Sequence, residues 1–290
     1  MRLVIDAHMS DGNAATARAL AASGGECRVA GVGADAAHGK LLIADTALGV
    51  GTGNLIWRDA PRDPHHRLPP VAPPLAGTRE WWVTVAGSRT LHDAARHAFE
   101  THWVTATPPP EGWAAAPESR PPPVGPPMPQ VAPLERRVAS RRLALIAGSA
   151  VVDPVVRALV TKARRRLLAT VPYAHAGAAP VRDVLELMQE ANARGVECGL
   201  LLGVPPAPQD AERLRRLSFE VRRMDPARST SGHAKGVVAD AVALISSANW
   251  SAAGLRGNWE VALRVADRRA AGYFAEAWRR DWETGLGIEV

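Results

Sequence analysis

Four residue types recur in this chain at a fixed spacing, and three of them could together move a phosphoryl group. His38 and Lys40 are followed by Asp45 and, nine residues later, by Asn54. His233 and Lys235 are followed by Asp240 and, again nine residues later, by Asn249. Each copy reads HxKxxxxD, with sixteen residues from His to Asn. An imidazole, an ammonium and an amide form a site sized for a phosphate, with one group that titrates near neutrality. Two such sets facing each other supply two histidines. One can attack as a neutral nucleophile while the other, protonated, donates to the leaving oxygen. Lysines and asparagines would stabilise charge on the transferring phosphoryl group. One copy of so short a motif reads as a hairpin with chance polar residues, whereas two copies with the same Asn offset read as a functional pair. Of 35 cationic residues only Lys40, Lys162 and Lys235 are lysines, and two of these occupy equivalent places. Lysine and arginine do not substitute for each other at a tight site.

The repeat extends beyond the motif. Cys27 and Cys198 each open an apolar run, Val29 to Val32 and Leu200 to Leu202, and read as buried thiols on equivalent strands. Downstream, Glu80-Trp81-Trp82-Val83-Thr84-Val85 aligns without gaps on Glu260-Val261-Ala262-Leu263-Arg264-Val265. Glu80 and Glu260 are each expected to hydrogen-bond a histidine Nδ1, which fixes its tautomer and raises its basicity. The aromatic pairs Phe99/Trp103 and Phe274/Trp278, four residues apart, read as core packing on a helix face.

Elements must position these groups. On a strand, residues i and i+2 share a face, so His38 and Lys40 point one way, as do His233 and Lys235, with Asp45 and Asp240 in turns. Asp153-Pro154 reads as an N-cap with Pro at N1, opening a helix through Val156, Leu159, Val160, Ala163 and Leu167. A strand from Leu167 to Tyr173 follows, then a helix from about Pro180 to a C-cap at Gly195, and strands at 200–204 and 221–224. His233 to Val238 and Val242 to Ser246 form a hairpin. The order predicts an α/β fold with mixed sheets. The first copy starts at the strand Leu3 to Ala7, with no counterpart of helix 153–166, which leaves the completeness of the N-terminus open. A Pro-rich stretch at 107–133 reads as an extended linker, giving halves at 1–105 and 141–290 around a linker at 106–140. A second Pro-rich stretch, 60–76, is an insertion, since Asn54 to Glu80 spans 26 residues and Asn249 to Glu260 only 11. Its His65-His66 pair reads as loop histidines, because adjacent side chains diverge on any backbone. No Cys/His cluster offers a metal site, and none is needed.

Composition narrows the partners. The 290 residues suit two halves, and their net charge of +6 favours nucleic acid or an anionic membrane surface, unless it merely reflects an Arg-rich codon usage. No run reaches the ~18 apolar residues of a membrane span. Met1 to Asp6 meets an acid too early for a signal peptide, and two cysteines make no disulfide scaffold. A cytoplasmic location, free or peripheral to a membrane, is the expectation, with a monomer plausible because both motifs lie in one chain.

With duplicated HxKxxxxD motifs followed by Gly51-Thr52-Gly53-Asn54 and Ser246-Ser247-Ala248-Asn249, the sequence resembles the phospholipase D superfamily over nearly its whole length outside the Pro-rich stretches. That resemblance implies two α-β-α halves related by a pseudo-two-fold, with one active site between them. It implies catalytic His38, His233, Lys40 and Lys235, with Asn54 and Asn249 joining the site and Thr52 and Ser247 at the hydroxyl positions. Asp45 and Asp240 would be structural. The implied activity is phosphodiester cleavage or transfer without metal or cofactor, through a phosphohistidine on His38, with His233 as acid. Phospholipid is the first expected substrate and nucleic acid the second, where the Arg clusters at 164–166, 213–216 and 222–223 could track phosphates. An inactive nucleic-acid or membrane binding module is a lesser alternative. Ser246 departs from the family's Gly and could narrow the pocket floor. Trp57 and Trp113 could dip into a membrane interface, or could pack inside.

Overall fold

The structure is a computed structural model and describes residues 1–7, 17–18, 20–30, 36–53, 78–109, 137–227 and 231–288. Asn54, Trp57, Trp113, the insertion at 60–76 and most of the Pro-rich linker lie outside these residues. The first half forms β1 (Arg2–Asp6), β2 (Glu26–Ala30), β3 (Leu41–Ile43), β4 (Ala47–Gly51), β5 (Thr78–Arg79), β6 (Trp82–Ala86) and α1 (Arg89–Thr105). The second forms β7 (Leu143–Ser149), α2 (Val152–Lys162), β8 (Arg166–Val171), α3 (Ala179–Ala193), β9 (Glu197–Leu202), α4 (Pro208–Arg215) and β10 (Glu220–Arg223). It continues with β11 (Ser231–Gly232), β12 (Gly236–Ala239), β13 (Val242–Ser246), β14 (Trp259–Val265), α5 (Arg268–Glu283) and β15 (Leu286–Gly287).

The larger sheet is mixed, in the order β15-β10-β9-β8-β12-β13-β14-β7. Its parallel core, β8, β9 and β10, is connected through α3 and α4, as parallel neighbours require. The first half pairs β1 with β2 in parallel and arranges β3-β4-β6 as an antiparallel sheet. One two-residue pairing, β5 with β11, runs between the halves.

Alternation along each strand sorts side chains into two cores. Leu167, Ala169 and Val171 of β8 join Val156, Val160, Val184 and Met188 from α2 and α3 on one face of the large sheet. Leu168 turns to the other face, where it meets Ile245, Val261, Leu263, Phe274 and Trp278. That second core also takes in Leu48, Val50, Trp81, Leu91 and Ala95 from the first half, so one apolar cluster joins the halves. Covered on both faces, β8 and β9 carry nearly continuous apolar sequence rather than polar alternation. Trp81 anchors the junction: it is buried, its ring centroid lies 4.8 Å from that of Phe274, and it fills the space over Gly236, where a Cβ would come within 2.2 Å of the indole. Trp81→Ala is expected to destabilise the fold by about 3–5 kcal/mol, read as a lower urea midpoint.

Several local expectations shift. The helix expected at Asp153 starts at Val152, with Val151 at the N-cap position, so Asp153 is in the first turn. Its carboxylate instead accepts from Arg157 Nε and Arg256 Nε, each at 2.7 Å. Cys27 and Cys198 occupy β2 and β9 as expected but are half-buried. Burial pushes the Cys198 thiol up to about 11. Trp103 is buried, whereas Phe99 is half-buried beneath the Arg2 guanidinium. No helix among the described residues is long and apolar enough to cross a membrane.

Candidate active site

The motif histidines and lysines do not sit on the hairpin strands, as the spacing suggested, but just before them: β3 begins at Leu41 and β12 at Gly236. The cause is where their backbone hydrogen bonds go. His38 N donates to Trp259 O and His233 N donates to Arg79 O, each at 2.9 Å, so each motif is pinned by a residue of the other half. The hairpins then start one residue after the lysines, with Gly51 N reaching Lys40 O at 3.2 Å and Ser246 N reaching Lys235 O at 2.9 Å. Gly39 lies against the Trp259 ring, where a Cβ would approach within 2.2 Å. Close backbone approach also fixes the route into the second motif, since a Cβ on Gly203 would meet Gly232 O at 1.5 Å.

The carboxylates cross between the halves. His38 Nδ1 donates to Glu260, 3.0 Å from each oxygen, and His233 Nδ1 donates to Glu80 Oε1 at 2.7 Å. An ionised carboxylate can only accept, so each Nδ1 carries hydrogen, and a neutral ring presents a lone pair at Nε2. Sequence reasoning foresaw a Glu for each imidazole and left open which; the structure gives each imidazole the Glu of the opposite copy. Both carboxylates are almost fully buried, at 4% and 1% exposed, while the rings are 23% and 22% exposed. The anchors are therefore dry and the rings reach open space.

Each carboxylate is held in turn. Thr52 is fully buried, donates its hydroxyl to Glu80 and accepts from Trp81 N at 2.9 Å. Ser247 is fully buried, donates to Glu260 and accepts from Val261 N at 2.9 Å. Asn258 adds a further contact, its Nδ2 donating to Glu260 Oε1 at 3.2 Å while its Oδ1 accepts from Ala36 N at 3.2 Å. Asn258 was missed because Thr78 stands at its equivalent position, so the repeat gave no signal.

Two ammonium groups lie inside. Lys40 is 7% and Lys235 1% exposed. Lys40 Nζ donates to His38 O at 2.6 Å. Lys235 Nζ donates to His233 O at 2.6 Å and, across the junction, to Thr52 O at 3.1 Å, and lies 2.9 Å from both ring nitrogens of His233. Burial first, then the positive charges of Lys40 and Lys235, lower the His38 pKa, against an opposing pull from Glu260. Both lysines thus act on one imidazole, which brings the two motifs into a single electrostatic site.

The remaining residues hold the frame. Asp240 sits at the hairpin turn with φ of +51° and accepts from the backbone N–H of Arg164, Arg165 and Arg166 at 2.9, 2.8 and 3.1 Å. Asp45 is exposed at the equivalent bend. Asn249 Nδ2 donates to Tyr173 Oη at 3.0 Å. Ser246 Oγ accepts from Ala248 N at 3.0 Å, so its extra atoms brace the turn that leads to Asn249. Several clustered arginines have partners of their own: Arg166 donates to Asp240 O, Arg216 pairs with Glu212, and Arg222 pairs with Glu220 and covers the Trp282 ring.

The family model described as cardiolipin synthase, PLD-like domain, matches residues 156–282. No curated protein matches the chain in sequence. Among solved structures, the phospholipase D family member Nuc from Salmonella typhimurium is 16% identical with a TM-score of 0.44, over 51% of this chain and 99% of its own. The phosphatidylserine synthase of Haemophilus influenzae Rd KW20 is 15% identical with a TM-score of 0.45, over 53% of this chain and 40% of its own. The polyphosphate kinase of Porphyromonas gingivalis is 14% identical with a TM-score of 0.55, and this similarity in fold covers 97% of this chain and 41% of the kinase. Residues 156–282 thus match a phospholipase D-like domain, set in a chain of mixed α/β fold.

Proposed function

We propose that the protein is a phosphodiesterase of the phospholipase D type that works without a metal ion, and that its preferred substrate is a phospholipid head group. The observation that carries this reading is the pair of imidazoles, each oriented through Nδ1 by a buried carboxylate of the other half, beside two buried ammonium groups. His38, kept neutral by burial, attacks phosphorus through Nε2. The bond to the leaving oxygen breaks as protonated His233 delivers its proton there, leaving a phosphohistidine on His38. His233, now neutral, takes a proton from water or an alcohol, whose oxygen attacks phosphorus and frees His38. Lys40, Lys235, Asn249 and, from its place in the motif, Asn54 hold the phosphoryl oxygens as charge builds on them. The 1–105 and 141–290 halves would then be two copies around a pseudo-two-fold, with the site between them.

The lipid reading draws on the cardiolipin synthase description of the matching family model. Of the eight arginines in the clusters that a nuclease would turn toward a phosphate backbone, Arg166, Arg216 and Arg222 are engaged with a backbone oxygen or a carboxylate. The test incubates the protein and a His233→Ala control, with EDTA present, with choline- and glycerol-headed phospholipids and with single- and double-stranded DNA. Head-group release lost in the variant is the expected result. Nicked DNA without head-group release would replace the lipid reading by the nuclease one, and no turnover of either would leave a binding module.

A further inference from the structure

The amide of Asn249 is only half satisfied. As placed, Nδ2 donates to Tyr173 Oη at 3.0 Å, while Oδ1 is buried without a hydrogen-bond partner. A buried amide oxygen left in this way is costly, and the oxygen and nitrogen of an amide are told apart only by their partners. Rotated by half a turn, the same amide accepts the Tyr173 O–H at Oδ1 and carries its NH2 into the buried position. There the two N–H groups require an acceptor, a place that a phosphoryl oxygen can fill.

Tyr173 is built to enforce that choice. It follows β8, and the backbone beside it is tied to the segment after Asn249: Ala174 bridges to Trp250, and His175 N donates to Trp250 O at 2.9 Å. Its ring stacks on His175 with centroids 4.8 Å apart, which holds the phenol in place. Burial raises the phenol pKa, so the hydroxyl remains a donor through the neutral range. The negative charge of Glu260, which anchors His38, is felt at the phenol, so Tyr173 stands within electrostatic reach of the reacting end.

We infer that Tyr173 is a positioning residue: its hydroxyl donates to Asn249 Oδ1 and so presents the Asn249 NH2 to a phosphoryl oxygen in the site. The inference rests on the phosphodiesterase reading for its role in turnover, but not for its effect on phosphate binding.

The experiment titrates wild type, Tyr173→Phe, Asn249→Ala and the double variant with inorganic phosphate by calorimetry, and measures kcat and KM on bis(p-nitrophenyl) phosphate. Tyr173→Phe keeps the ring and its stacking, and thermal melting confirms that it folds. Loss of one hydrogen bond predicts phosphate binding about 3- to 10-fold weaker. The double variant is expected to bind no more weakly than Asn249→Ala alone, because the hydroxyl acts only through that amide. Unchanged binding in Tyr173→Phe overturns the inference, as do independent, multiplying losses in the double variant or a wild type that binds no phosphate. Tyr173-dependent phosphate binding in a protein that cleaves no phosphodiester refutes the proposed function and leaves the inference standing.

Discussion

His38→Ala eliminates turnover of every phosphodiester, whereas His233→Ala spares the first half-reaction of substrates with good leaving groups. The difference follows from the two roles. Without His38 there is no atom for the phosphoryl group to join, and the barrier reverts toward that of water attack. Without His233 the leaving oxygen departs unprotonated, which costs about 10²–10⁴-fold for an alkoxide. A p-nitrophenolate needs no such proton, so with bis(p-nitrophenyl) phosphate His233→Ala releases product in a burst of about one equivalent per enzyme. It then stalls, because no base activates water, and labelled phosphoryl stays on the protein through an acid-labile bond. Rapid quench and denaturing gels read both signals. A burst from His38→Ala and none from His233→Ala would reverse the assignment.

Glu260→Gln lowers kcat by about 10²–10⁴-fold and shifts the acid limb of the pH profile downward. In the wild type, burial outweighs the Glu260 carboxylate, so His38 titrates below its ordinary 6.5 and the acid limb falls below that value. Glutamine removes the interactions that raise the pKa and leaves those that lower it, so the limb moves further down. It also replaces an acceptor that fixes the Nδ1–H tautomer by an amide that can donate, and removes the charge that stabilises the imidazolium-like transition state. Plots of log kcat/KM against pH for both proteins check the direction. An acid limb that rises in the variant would rule out Glu260 as the partner that favours His38 protonation.

The motif residues were legible because the chain writes them twice. Alignment of the copies found the His, Lys and Glu positions without knowledge of the fold, and periodicity recovered α2, β8, α3, β9, β10 and the β12–β13 hairpin to within a few residues, but not β7 or α4. What the sequence concealed were relations between the copies. Repeats mark equivalence, not contact, so nothing in them could say that Glu80 faces His233 rather than His38. The position of the motifs ahead of β3 and β12 was hidden for the same reason, since their backbone partners, Trp259 and Arg79, lie in the opposite half. Asn258 and Tyr173 occur once, and a search for repeats passes over such residues. At Asp153 a strong N-cap signal was overridden by two guanidinium groups from elsewhere in the fold.

The crossed carboxylates also bear on what fragments of this protein can do. A polypeptide cut or terminated between the halves carries a histidine whose ring has lost the group that aims it, and a carboxylate with nothing to aim. On the phosphodiesterase reading proposed above, such a fragment is expected to be inactive as a monomer. The same wiring couples the inheritance of the halves: a change that remodels one is tested at once on the imidazole of the other.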